Sequence, residues 1–153
     1  MCGIAGIIQS SNHYSIHHLK KMTDALAHRG PDGEGFWQNR DGTAQLGHRR
    51  LSVIDLSKDA AQPMHFAVSA EGGDRGHYTI VHNGEIYNYV EIRETLEKEG
   101  YVFRTQSDTE VILAAFDFWN SECIDHFDGM FAFAIWDEKE KELFIARDRF
   151  GEK

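Results

Sequence analysis

The chain has 153 residues, enough for one domain with a real core, and its 41% hydrophobic and 27% charged residues suit a folded protein rather than a disordered one. Lys and Arg number 16 against 25 Asp and Glu, a formal net charge of −9 that repels phosphate backbones and anionic bilayers and argues against nucleic-acid and membrane partners. No apolar run is long enough to span a bilayer, no secretory signal opens the chain, and two distant cysteines, Cys2 and Cys123, make no disulfide framework, so a reducing cytoplasm is expected.

In chain order, CGIAGIIQ (2–9) is an apolar run with small residues at Gly3, Ala5 and Gly6, a strand that another strand or a ligand can approach closely. From Ser15 the spacing turns helical through Ile16, Leu19, Met22 and Leu26, closing near HRGPDG. GEGFWQNRDGTAQLGHRRLSVIDL reads as two strands around an Asp41-Gly42 turn. A loose turn, EGGDRG, precedes the strand HYTIVHNG. After Asn88, YVEIRETLEKEG is helical in period and ended by Gly100, and YVFRT follows as a short strand. Ser107 and Glu110 stand at capping-box spacing and start a helix in SDTEVILAAFDFW. GMFAFAIWD and KELFIARD flank the polar turn EKEK as a hairpin, and the first of them is apolar almost throughout, as a strand covered on both faces would be. Strands cluster with helices between the clusters, which predicts an α+β class with layered sheets. No linker or repeat divides residues 1–153, and the end at ELFIARDRFGEK, just after a strand-like run, reads as a cut within a longer protein.

Position two raises a chemical question. A protonated thiol is a weak nucleophile, and at an ordinary pKa of ~8.5 only a few per cent is thiolate at neutral pH. A cysteine at an exposed chain start carries its own base, an α-amine of pKa ~8 that can take the thiol proton and return one to a leaving amine. This requires loss of Met1, which the small residues Cys2 and Gly3 permit. Taken alone, Cys2 reads better as a small residue buried in an apolar strand.

Seven blocks in order change that balance: CGIAGI, HRGPDGEG, GHRRLSVIDL, QPM, HNGEIYNY, SDTEVIL and GMFAFAIWD. Together they resemble the glutaminase domain of class II, N-terminal-nucleophile glutamine amidotransferases, most closely the N-terminal half of glutamine-hydrolysing asparagine synthetases, over essentially the whole chain. The resemblance implies a four-layer αββα sandwich of two antiparallel sheets, of the Ntn-hydrolase type. It implies hydrolysis of L-glutamine to glutamate and ammonia through a glutamyl thioester on Cys2, with the oxyanion held by the Asn83 side chain and the Gly84 backbone N–H. In isolation Asn83-Gly84 reads better as a turn.

The resemblance further implies that Arg50 receives the α-carboxylate of glutamine, with Arg49 a solvated neighbour, and that Glu85 and Asp108 receive its α-ammonium. Asp108 reads equally well as a first-turn helix acid. Backbone groups of Leu51, Ser52, Val53 and Ile54 would line the pocket. Leu51 after Arg50 favours the asparagine synthetase branch over the sugar-phosphate branch, whose pocket segment carries an arginine-tryptophan pair. The domain itself is expected to need no cofactor. ATP and magnesium would belong to a C-terminal synthetase domain outside this sequence, to which the ammonia would pass, with aspartate the first acceptor to consider. A glutaminase feeding another acceptor, in polysaccharide or natural-product biosynthesis, is the alternative, and a non-catalytic glutamine-binding module a further one. An autoprocessed acylase or protease of this fold type would need a propeptide, which a single methionine is not. A homodimer is compatible with all of these.

Other features carry less. His13, His17 and His18 lie close together without a cysteine or carboxylate set to complete a metal site. His28, His48 and His82 adjoin the blocks without a required role, Trp37, Trp119 and Trp136 read as core, and Cys123 as inert. No glycine-rich phosphate loop occurs, so no ATP chemistry is expected in these residues. The segment VSAEGGDRGHYT is a spacer with no assigned role.

Overall fold

In the computed structural model of the chain, residues 1–11, 13–54, 57–70 and 73–153 are described. The elements run β1 (Gly3–Ile8), α1 (Ile16–Ala25), β2 (Gly33–Gln38), β3 (Ala44–Arg50), β4 (Met64–Ala70), β5 (Gly73–Ile86), α2 (Tyr89–Lys98), α3 (Asp108–Trp119), β6 (Gly129–Asp137) and β7 (Glu142–Arg147). Short 3-10 segments follow α1 at Ala27–Arg29 and α3 at Asn120–His126. The strands form two antiparallel sheets, ordered β1-β3-β2 and β4-β5-β6-β7.

The sheets stack through β3 and β1 against β5, with α1 on the outer face of the first sheet and α3 on that of the second. Strand alternation explains the layering, because successive side chains leave opposite faces. On β5, Ile80 enters the core shared with α2 and α3, while Val81 enters the core between the sheets. On β6, Phe131, Phe133 and Ile135 face the helices, and Ala134 and Trp136 face the other sheet. The apolar run of GMFAFAIWD is thus a strand buried on both sides, as its composition predicts. The α+β class and the four-layer sandwich are both present.

Several local expectations hold and several give way to tertiary structure. The Asp41-Gly42 turn joins β2 to β3 with Gly42 at φ +70. In α1 only Leu19 and Thr23 are buried, and Ile16 and Met22 are exposed. The reason is Gly47 on β3, where a Cβ would lie 2.7 Å from Thr23 Cγ2, so the helix sits close and buries a narrow strip. The VSAEGGDRGHYT spacer belongs to a β4–β5 hairpin, with Ala70 paired to Gly73. Two residues of the expected EGGDRG turn, 71 and 72, lie outside the described residues.

The expected strand YVFRT does not form. Its backbone is claimed by side chains instead: the Glu110 carboxylate accepts from Arg104 N–H (2.9 Å), Thr105 N–H (2.7 Å) and Thr105 Oγ1 (2.7 Å). Arg93 donates to the carbonyls of Thr105 and Ser107. Ser107 caps α3 as expected, accepting from Thr109 N–H at 3.1 Å, but Glu110 serves the preceding loop and not the reciprocal half of a capping box. Substituting Glu110 by Ala strands the buried Thr105 N–H and hydroxyl and removes the acceptor of the part-buried Arg104 N–H, a cost of roughly 2–4 kcal/mol. Thermal unfolding of Glu110→Ala is expected about 5–15 °C below that of the unaltered chain, and an unchanged midpoint would show the loop is held by other contacts.

A buried polar contact crosses the two sheets. His48 on β3 is 1% exposed, and its Nε2–H donates to the carbonyl of His82 on β5 at 3.2 Å. A carbonyl only accepts, so Nε2 carries the proton, and buried Nδ1 has no partner. Burial, outweighing that hydrogen bond, pushes the imidazole pKa from 6.5 down to about 4. Above 6.5 both folded and unfolded chains keep this ring neutral. Between 6.5 and about 4 the unfolded chain takes up a proton that the folded chain refuses, so stability falls with acidification and the loss is complete below about 4. The loss amounts to about 3 kcal/mol. Denaturant titrations at pH 7 and pH 4 are expected to show a steeper decline for the unaltered chain than for His48→Gln, and equal declines would contradict this.

Candidate active site

The start of the chain is held at the end of β3. Gly3 pairs with Arg49 in the β1–β3 ladder, so Cys2, one residue outward, falls beside Arg50 and Leu51. The Leu51 N–H donates to Cys2 Sγ at 3.3 Å, and the thiol points to Leu51 O at 3.6 Å. Arg29 Nε donates to the Cys2 carbonyl at 3.0 Å, and Asp32 accepts from Ser52 N–H at 2.9 Å. The HRGPDG block therefore braces both Cys2 and the loop that faces it. Met1 is half exposed and peptide-bonded to Cys2, whose nitrogen is an amide in this form. The Lys153 ammonium lies against the sulfurs of Met1 and Met130.

The opposite wall is the end of β5, brought there by sheet stacking. Gly84 has φ +155, and a Cβ on it would sit 2.1 Å from the Met130 carbonyl oxygen of β6. Only glycine lets the two strands close at this point. Asn83 is buried at 7% exposure, and its Oδ1 has no hydrogen-bond partner among the described residues. A buried acceptor left unpaired is costly, and it marks Asn83 as a side chain the fold does not fully use.

Charges of both signs line the cleft. Arg50 is half-buried, with Nη1 donating to Ser57 O at 2.9 Å. Across the cleft, Asp108 is buried and accepts from Ile86 N–H at 3.0 Å, and Glu85 is half-buried. Asp108 is the first residue of α3, so the first-turn acid and the cleft-lining carboxylate are the same group. Arg49 is not the solvated neighbour expected. It is largely buried, ion-paired to Asp24 and to Glu34 (2.8 Å), and donates to Thr23 O at 3.1 Å, clamping α1 to the sheet.

All ten residues singled out in the sequence, Cys2, Arg50, Leu51, Ser52, Val53, Ile54, Asn83, Gly84, Glu85 and Asp108, line one cavity of about 170 Å³. Gln62, His82, Ser107, Thr109 and Met130 also line it. Sequence reasoning gave these no role, although Gln62 lies in the QPM block and Ser107 and Thr109 flank Asp108. Cys123 is fully buried, and desolvation pushes its thiol pKa up to about 12, which leaves it unreactive. Among the described residues no group of three or more His, Cys, Asp or Glu converges as metal ligands, and no helix is long and apolar enough to cross a membrane.

The family profile described as "Glutamine amidotransferase domain" matches residues 1–153. The chain is 41% identical over 155 residues to asparagine synthetase [glutamine-hydrolyzing] 3 of Bacillus subtilis, covering all of this chain and 24% of that protein. It is 40% identical over 162 residues to putative asparagine synthetase [glutamine-hydrolyzing] 2 of Methanocaldococcus jannaschii, covering all of this chain and 31% of the relative. Amidase chry2 of Gibberella zeae is 36% identical over 164 residues, again across the whole chain and 23% of the relative. The chain thus spans about a quarter of the length of the curated relatives it matches. Among solved structures, glutamine phosphoribosylpyrophosphate amidotransferase of B. subtilis superposes with a TM-score of 0.79 at 22% identity, covering 97% of this chain and 37% of that one, a likeness of fold. With the profile matched from end to end, the chain belongs to the glutamine amidotransferase domain family.

Proposed function

We propose that the domain hydrolyses L-glutamine to L-glutamate and ammonia through a thioester on Cys2, once Met1 is removed. The observation that carries this reading is the cleft itself: a thiol at residue two, an arginine, two carboxylates and an asparagine line one cavity. Removal of Met1 converts the Cys2 amide into an α-amine one carbon from the thiol. That amine takes the thiol proton, and the sulfur attacks the side-chain carboxamide carbon of glutamine. Negative charge forms on the amide oxygen, where Asn83 Nδ2–H and the Gly84 N–H donate to it. The ammonium of Cys2 then returns a proton to the departing nitrogen, ammonia leaves, and a glutamyl thioester remains. Water, deprotonated by the same amine, attacks the thioester and releases glutamate and the thiol.

Recognition follows from charge. The Arg50 guanidinium receives the α-carboxylate, and Glu85 and Asp108 receive the α-ammonium, a pairing that rejects simple amides. The backbone of Leu51, Ser52, Val53 and Ile54 forms the wall between these ends. Leu51 N–H and Ser52 N–H are already engaged, by Cys2 Sγ and Asp32.

The ammonia is proposed to pass to an ATP- and magnesium-dependent asparagine synthetase domain of a longer protein, in a reducing cytoplasm where Cys2 stays a thiol. The named asparagine synthetases at about 40% identity support this acceptor. A second reading, another acceptor, is supported by the 36% identical relative named an amidase.

Ammonia release from glutamine by Met1-free protein is expected, and Cys2→Ala is expected to abolish it. Asn83→Ala is expected to lower kcat by about 100- to 1000-fold with a smaller change in KM. Arg50→Ala is expected to raise KM by about 10- to 100-fold, the worth of a charge-assisted pair. Glutamine binding without ammonia release by the processed protein would favour a binding module instead.

A further inference from the structure

A closed ring of hydrogen bonds forms part of the cleft wall. β4 begins with Met64 paired to Ile80, and the continuation of that register would set Gln62 opposite His82. Gln62 meets His82 with its side chain instead: Oε1 accepts from the His82 backbone N–H at 2.6 Å. The Nε2 of the same amide donates to Thr109 Oγ1 at 3.3 Å, and Thr109 Oγ1 meets His82 Nδ1 at 3.1 Å. Since Thr109 accepts from Gln62, its own proton is free to go to Nδ1 of a neutral ring. Burial favours that neutral ring, and both His82 and Thr109 are 2% exposed.

The two anchor points are informative. His82 immediately precedes Asn83, and Thr109 immediately follows Asp108. One glutamine side chain therefore spans from the strand that carries the oxyanion donors to the helix that carries an ammonium-binding carboxylate. In sequence those elements are separated by the chain from Ile86 to Ser107, and in space the Ile86 N–H to Asp108 bond joins them two residues beyond Gly84, so the bracket is a second tie, placed on the other side of Asn83. A glutamine bound at its α-ammonium by Asp108 presents its carboxamide to Asn83 only if the spacing between strand and helix is correct. A displacement of ~1 Å at such a distance can cost ~100-fold in rate.

We propose that Gln62, Thr109 and the His82 ring form a positioning bracket that sets the distance between the Asn83–Gly84 pair and Asp108. The bracket rests on the roles given to those residues above. Its members line the same cavity and are assigned no proton or bond in the reaction, so they are positioning residues. Because it is built from side chains, it acts where β4 has ended and the sheet no longer supplies a neighbour for β5 on that side.

The test is steady-state glutaminase kinetics on Met1-free protein with the Thr109→Val and Thr109→Ser variants, together with thermal melts. Thr109→Val keeps shape and loses the hydroxyl; kcat is expected to fall about 10- to 100-fold with KM within about threefold. Thr109→Ser restores the hydroxyl and is expected to recover kcat to within about threefold of the unaltered protein. Unchanged kcat in a folded Thr109→Val, an equal loss in both variants, or a rise in KM at constant kcat would each overturn the bracket. If Thr109→Val does not fold, Gln62→Met reads the other end of the ring; a kcat-selective loss supports the proposal and an unchanged kcat overturns it. Cys2-dependent ammonia release by the unaltered protein is the control for the underlying reading, and its absence removes that reading and the bracket with it.

Discussion

The pairing of Gly3 with Arg49 is the constraint on which the rest of the site depends. A chain terminus is ordinarily the least ordered part of a domain. Here β1 is hydrogen-bonded along β3, and the register delivers Cys2 to the residue where β3 stops and the loop at 51–54 begins. The Leu51 N–H on the sulfur and the Arg29 guanidinium on the Cys2 carbonyl then fix the two ends of that residue. A one-residue slip in this ladder would turn every β1 side chain to the other face and carry the thiol away from the cleft.

The second sheet supplies what the first cannot. β5 runs past the end of β4 to Ile86, so its last residues are paired to β6 on one side and open on the other. Gly84 lets β5 and β6 close, and the carboxylate of Asp108 ties Ile86 to the start of α3. Side chains replace the missing strand: Gln62 and His48 occupy the His82 backbone N–H and carbonyl. The open edge then serves as a cleft wall with both His82 backbone groups paired, while among the described residues the buried side-chain atoms His48 Nδ1, His82 Nε2 and Asn83 Oδ1 lack a partner there.

Much of this was legible in the sequence where the signal is local. The Asp41-Gly42 hairpin, the Ser107 cap and the doubly buried GMFAFAIWD strand each follow from a few adjacent residues. The ten residues of the cleft were legible through the ordered blocks, and composition or periodicity would not have gathered them. What escaped was tertiary in origin. YVFRT has strand propensity, but a carboxylate from α3 captured its amides. Arg49 and Arg50 are chemically alike, and only strand alternation sends Arg49 to Asp24 and Glu34 and leaves Arg50 at the cleft. Gln62 and Thr109 have no meaning until sheet and helix are brought together.

The central claim is that a processed chain start makes Cys2 a nucleophile for the glutamine carboxamide. Its most direct test is peptide mass mapping after incubation with a diazoketone analogue of glutamine, whose ketone carbon stands where the carboxamide is attacked and whose neighbouring diazomethyl carbon takes up a proton and alkylates the thiol with loss of N2. Rapid alkylation of Cys2 in Met1-free protein, suppressed by glutamine and slow when Met1 is retained, is the predicted result. Labelling at Cys123, or labelling of Cys2 at the same rate with Met1 in place, would contradict the account.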